Sequence, residues 1–200
     1  MFYSFMRFFL RIFFKIFFRT RIIGVENIPR EGAFILSSNH ISNWDPPFLA
    51  TFINREVHYM AKEELFKNPI FAKAITLLHA FPVKRGAADK NAMKHAIKIL
   101  KAGECLGIFP EGTRSKTGKL GKAESGVGAI AAMTKSPVVP AAIIGTNKIF
   151  SDESKFPPLI VAYGKPIKFS GNPKDKDELN NFAQSIMAEI EKLLEDNKNA

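Results

Sequence analysis

Cysteine is almost missing from this chain: Cys105 is the only one in 200 residues. A disulfide within the chain is excluded, and a reducing compartment is the simpler setting. With only four scattered histidines, there is no zinc-type cluster of Cys and His, and no metal ligand set is expected. A Gly-x-Ser-x-Gly run is also absent, so the nucleophile elbow of many lipid hydrolases is not available. Acidic residues are absent from the first 21 positions, which hold Arg7, Arg11, Lys15, Arg19 and Arg21. No internal repeat or composition break marks a second domain, and 200 residues suit one domain with a real core.

What is present is uneven. The net charge is +10, and five of the 29 basic residues lie in that acid-free start, so it carries half of the excess. Eight of the 19 phenylalanines lie within residues 1–18. Steps of four residues advance only about 40° around a helix, so Arg7, Arg11, Lys15 and Arg19 form one slowly winding stripe on an otherwise apolar rod. A spanning helix needs about 20 mainly apolar residues, and Arg11 would sit near the bilayer centre at a cost of roughly 2.5–3.5 kcal/mol. Residues 1–20 are therefore expected to lie in the interface. Rings would enter the acyl region and cations would meet an anionic membrane surface. That places the protein at the cell membrane, peripheral or monotopic on the cytoplasmic face. A nucleic-acid partner is not expected, because the aromatics cluster together instead of interleaving along a groove for base stacking.

Residues 21–200 read as one α/β domain. Strands are expected over 33–38, 57–61, 80–84, 105–109, 137–144 and 159–163, with a turn-rich link over 21–32. Helices are expected over 69–78, 89–101, 126–134 and 177–195, and one starts at Asp45 with that residue as N-cap and Pro46 at the first helical position. Alternation of this kind predicts a mixed, largely parallel sheet flanked by helices, with the apolar 137–144 run central. Sites in such sheets form beyond the carboxyl ends of strands.

The block Asn39-His40-Ile41-Ser42-Asn43-Trp44-Asp45 follows the first domain strand. On a helix, His40 and Asp45 would lie about 140° apart, so cooperation needs a turn between them. A carboxylate beside an imidazole fixes its tautomer and stabilises the imidazolium, which is the arrangement of a general base. The spacing fits equally a plain helix start with His40 on the surface. His58, His79 and His95 have no acidic neighbour at useful spacing and are read as structural.

A second block, Phe109-Pro110-Glu111-Gly112-Thr113-Arg114, follows an apolar strand. Between the two lies Phe81-Pro82-Val83-Lys84-Arg85, and later comes Val138-Val139-Pro140. This ordered set, over roughly residues 20 to 170, resembles the glycerophospholipid acyltransferase family. His79 departs from the family pattern, which has a small residue such as glycine there. The resemblance implies acyl transfer from a thioester, acyl-CoA or acyl-carrier protein, to the hydroxyl of a lysophospholipid, with 1-acylglycerol 3-phosphate as the expected acceptor and no cofactor beyond the co-substrate. It implies His40 and Asp45 as the catalytic pair. Arg85 and Arg114 would bind phosphate through paired hydrogen bonds, and Glu111, Gly112 and Thr113 would line the substrate site. Glycerol 3-phosphate is the alternative acceptor. A serine lipid hydrolase using Ser38 or Ser115, and a non-enzymatic membrane-binding protein, are the rival readings.

Overall fold

Apolar runs in the middle of the chain become the parallel part of one seven-stranded sheet. In chain order the strands are β1 Thr20–Ile23, β2 Phe34–Ser38, β3 Val57–Lys62, β4 Ala80–Val83, β5 Cys105–Ile108, β6 Val138–Ile144 and β7 Leu159–Tyr163. The helices are α1 Phe2–Phe17, α2 Asp45–Thr51, α3 Pro69–Leu77, α4 Lys90–Lys101, α5 Gly126–Thr134 and α6 Lys176–Asp196. The structure, a computed structural model, describes residues 1–84, 89–152 and 154–198.

The strand order is β1-β7-β6-β2-β5-β3-β4. The five strands from β6 to β4 run parallel, whereas β7 is antiparallel to β6 and β1 follows β7. Strand β2 is the middle one, and all five of its residues are buried. Strand β6 lies beside it, interior as its composition predicts. Strands covered on both faces read as near-continuous apolar runs.

Two layers of side chains cover the sheet. On one face α1 and α2 pack Phe14, Phe48 and Phe52 over Phe34, Leu36, Tyr59, Val139 and Val161. On the other, α4, α5 and α6 pack Ala96, Ile130, Ala131 and Ile186 against Ile35 and Leu106. The odd–even split of Phe34 and Leu36 from Ile35 is the period of two expected of a strand.

Three expectations need correction. Residues 21–23 are not part of a link but belong to an edge strand, Thr20–Ile23, that pairs with β7. Asp45 is not the N-cap: Trp44 holds that position and Asp45 is the first residue of α2. Its carboxylate turns back into the preceding loop, where stronger partners await it.

The third concerns α1. It is one face of the domain core, with Phe14 fully buried and Tyr3 and Phe18 nearly so. Emptying a site such as Phe14 to alanine costs about 3–5 kcal/mol. Its first two cations do not point to solvent. Arg7 donates to the carbonyls of Ile53 and Arg55, and Arg11 donates twice to that of Thr51. Those carbonyls lie at and just beyond the C-terminal end of α2, where last-turn carbonyls lack helical partners and cations are favoured. Lys15 and Arg19 are exposed. So are Phe5, Phe8, Phe9, Ile12 and Ile16, at the spacing of a single helix face, and Ile16 is 70% exposed.

Candidate active site

Strand β2 ends at Ser38, and the side chain of Asn39 continues its pairing where the backbone leaves the sheet. Asn39 Nδ2 donates to the Ile143 carbonyl at 2.9 Å, and the Ile143 N–H donates to Asn39 Oδ1 at 2.8 Å. The turn that follows brings the predicted pair together. His40 Nδ1 lies 2.8 Å from Asp45 Oδ2. The same oxygen accepts the N–H groups of Ile41 at 2.6 Å and Ser42 at 2.7 Å. Oδ1 accepts the hydroxyl of Thr146. Asp45 is fully buried and His40 nearly so. A buried carboxylate is tolerable only when it is hydrogen-bonded, and here every neighbour is a donor. Because Nδ1–H donates to Asp45, Nε2 is the nitrogen free to accept a proton. Nε2 makes no hydrogen bond among the described residues.

The imidazole is held flat against Phe109, with centroids 4.1 Å apart and planes 19° apart. Behind Phe109 stands the Tyr59 ring, 6.0 Å away and also near-parallel. Tyr59 lies over Gly107, where an added Cβ would come within 2.2 Å of the ring. Glycine in β5 thus makes the room for this stack. Burial pushes the Tyr59 hydroxyl well above its usual range, and it does likewise for the Cys105 thiol, which is inert as a nucleophile.

The second predicted block folds around the backbone of His40. Glu111 Oε1 accepts the His40 N–H at 3.1 Å, and the Ser115 N–H donates to the His40 carbonyl at 2.8 Å. Glu111 Oε2 accepts the Gly121 N–H at 2.8 Å. Glu111 therefore joins three chain segments; both its oxygens serve backbone N–H groups. Gly112 has φ of 68° and its N–H closes a turn on the Phe109 carbonyl, a conformation that favours glycine. Gly112, Thr113 and Arg114 are exposed. Arg114 stands between the two residues tied to His40. Arg85 lies outside the described residues, so the structure does not place it.

The serines of the hydrolase reading are engaged elsewhere. Ser38 donates to Asn39, and Ser115 donates to the Lys119 carbonyl, so neither hydroxyl reaches His40.

One of the remaining histidines also differs from expectation. His79 does have an acidic partner: its Nε2 lies 2.8 Å from Glu56 Oε2, a residue 23 positions earlier. It has φ of 64°, so the backbone takes the left-handed form that suits glycine at the very position where the family pattern has a small residue. The Tyr3 and His58 rings pack on it. His95 is exposed beside Phe81.

The acyltransferase family profile matches residues 19–144. The chain belongs to the acyltransferase family. Among its relatives, the 1-acyl-sn-glycerol-3-phosphate acyltransferase of Bacillus subtilis is 39% identical over 129 residues, 64% of this chain and 63% of that protein. The enzyme of the same name from Pseudomonas aeruginosa is 34% identical over 177 residues, 86% of this chain and 68% of that one. The crystal structure of the 1-acyl-sn-glycerophosphate (LPA) acyltransferase from Thermotoga maritima matches with a TM-score of 0.76 at 30% identity, over 95% of this chain and 78% of that one. The chain thus spans just under two thirds of the Bacillus protein. Family membership was legible in the ordered blocks. Asn39 and Thr146 were not singled out; both act on partners 101 or more positions away, and only the final apolar run before Gly145 hinted at that neighbourhood.

Proposed function

We propose that this acyltransferase moves a fatty acyl group from a thioester to the sn-2 hydroxyl of 1-acylglycerol 3-phosphate, forming phosphatidic acid. The carrying observation is the 2.8 Å contact of His40 Nδ1 with a buried, fourfold hydrogen-bonded Asp45. His40 Nε2 takes the hydroxyl proton as the oxygen attacks the thioester carbonyl. The new C–O bond forms, the C–S bond breaks, and the imidazolium returns the proton to the departing thiolate. Asp45 holds the ring and stabilises its cation. No acyl-enzyme is needed, and no cofactor beyond the thioester, acyl-CoA or acyl-carrier protein. Proton transfer of this kind contributes about 10²–10⁴-fold, with positioning adding much of the rest.

Exposed Arg114, beside the base, grips the acceptor's phosphate, with Gly112 and Thr113 on the same rim and Arg85 as the second guanidinium. Glu111 shapes that rim through its backbone bonds. The apolar outer face of α1, with Lys15 and Arg19, lies on an anionic membrane at the cytoplasmic face and delivers the lysolipid. Among the described residues, no helix is long and apolar enough to cross a membrane.

The test is acyl transfer by detergent-solubilised protein. Lysophosphatidic acid and glycerol 3-phosphate are offered separately, each with acyl-CoA and with acyl-carrier protein as donor. Phosphatidic acid from the lysolipid, lost in His40→Ala, is the expected result. Product from glycerol 3-phosphate alone would move the protein to the earlier acylation, and free fatty acid without transfer would overturn the reading. For the membrane, Phe5→Ser, Phe9→Ser and Ile12→Ser together should release the protein from anionic vesicles. Deleting residues 1–18 would be a poorer test, because it strips Phe14 and Phe18 from the core.

A further inference from the structure

Asp45 Oδ2 is fixed by three donors drawn from its own loop, two of them backbone N–H groups that no side-chain substitution removes. Among the described residues Oδ1 has one donor, and it comes from the end of the neighbouring strand, 101 positions away. Strand β6 ends at Ile144; Gly145, with φ of 91°, turns the chain, and Thr146 opens a single 3₁₀ turn through Lys148. Thr146 is 1% exposed and its hydroxyl donates to Oδ1. The same strand end holds the start of the loop, since Ile143 exchanges both backbone bonds with Asn39. One strand terminus therefore grips both ends of the His40–Asp45 loop.

We propose that Thr146 is a positioning residue for acyl transfer: its hydroxyl sets the plane of the Asp45 carboxylate and so the aim of His40. This rests on the assignment of His40 and Asp45 made above. Three bonds to Oδ2 hold one oxygen, and with the other unheld the carboxylate keeps some torsional freedom about Cβ–Cγ. The bond to Oδ1 removes that freedom. Without it a fully buried carboxylate oxygen is also left without a donor, the costly case for a polar group. Thr146 is buried away from the surface that a substrate would meet, so its effect belongs to turnover and not to acceptor binding.

Thr146→Val keeps the shape and removes the hydroxyl; Thr146→Ser keeps the hydroxyl. With lysophosphatidic acid and acyl-CoA or acyl-carrier protein, Thr146→Val should lower kcat about 10–100-fold with KM within about twofold, and Thr146→Ser should stay near the parent. Added to Asp45→Asn, Thr146→Val should cost little more, because the two act as a unit. A second readout needs no turnover. The Nδ1 proton of His40, assigned by its loss in His40→Ala, should move in the NMR spectrum of Thr146→Val and stay in place in Thr146→Ser. If Thr146→Val does not fold, Thr146→Ala takes its place. Unchanged kcat and an unmoved proton in the valine variant would overturn the proposal, as would equal losses in the valine and serine variants or full multiplication of losses with Asp45→Asn. A moved proton in a protein without transferase activity would instead uphold the contact and bring down the assigned reaction.

Discussion

Two histidine–carboxylate pairs stand at opposite ends of this sheet, and both measure 2.8 Å. His40–Asp45 lies beyond the carboxyl end of β2. His79–Glu56 lies ahead of β4 and β3, at the amino ends. Their surroundings separate them. The His40 and Asp45 side chains are 10% and 0% exposed, while those of His79 and Glu56 are 33% and 40% exposed. Asp45 has three further donors and His40 is stacked on Phe109, with its backbone tied at both N–H and carbonyl. Glu56 has only its histidine as a hydrogen-bond partner among the described residues. Distance alone does not make a base. The proposed base has a fixed carboxylate in a dry site, whereas a half-exposed pair is screened by water and weak.

The sharpest way to break this comparison is to empty each imidazole. His40→Ala should lower kcat by about 10²–10⁴-fold. His79→Ala should leave kcat within about twofold in the same steady-state assay. Equal losses would mean that the pairs are not functionally distinct. Next in size is Glu111→Gln. It replaces one of two acceptor oxygens by an amide that faces an N–H, and should destabilise the fold by about 1–3 kcal/mol by urea titration, with a fall in kcat. Glu56→Gln, the matching change at the other rim, should cost less than about 1 kcal/mol by the same titration. The smallest effect is in pH. Burial first, then the nearby His79, lowers the affinity of His58 for its proton, partly offset by Glu104 and Glu56. The unfolded chain therefore binds that proton at higher pH than the folded one. Stability from this group is complete above about 6.5 and declines as pH falls below it. Thermal melts should show a shallow fall there that His58→Gln flattens.

Six of the seven strands, most helix boundaries and the His40–Asp45 loop were legible because they are local: period, caps and a turn of five residues carry them. Asn68 and Asp89 cap the helices expected to start there, each accepting two N–H groups. What sequence could not supply was pairing at a distance. Nothing near Asp45 announces Thr146, nothing near Glu111 announces the backbone of His40, and Glu56 is 23 positions from His79 in the chain, with β3 and α3 between them. The arm showed its amphipathic character but not which side it would bury. Tyr3 and Phe14 differ from Phe5, Phe9 and Ile16 only in where they fall on the helix, and the choice between buried and exposed was made by what lies beneath them, Phe48 of α2 for Phe14 and His79 for Tyr3. Strand β1 escaped notice because four residues at a sheet edge carry no alternation to read.

The chain has a single tryptophan, and it is Trp44, inside the loop between His40 and Asp45. Its indole stacks on Phe13 of α1 at 5.9 Å and meets Phe150 edge-on at 6.1 Å. All of the protein's indole fluorescence therefore originates at one point, where the arm and the loop touch. The molecule carries a native optical reporter with no label to attach. Its emission colour and quenching record the polarity at that junction, so the proposed vesicle docking and substrate entry would each leave a separate trace in time on the unmodified protein.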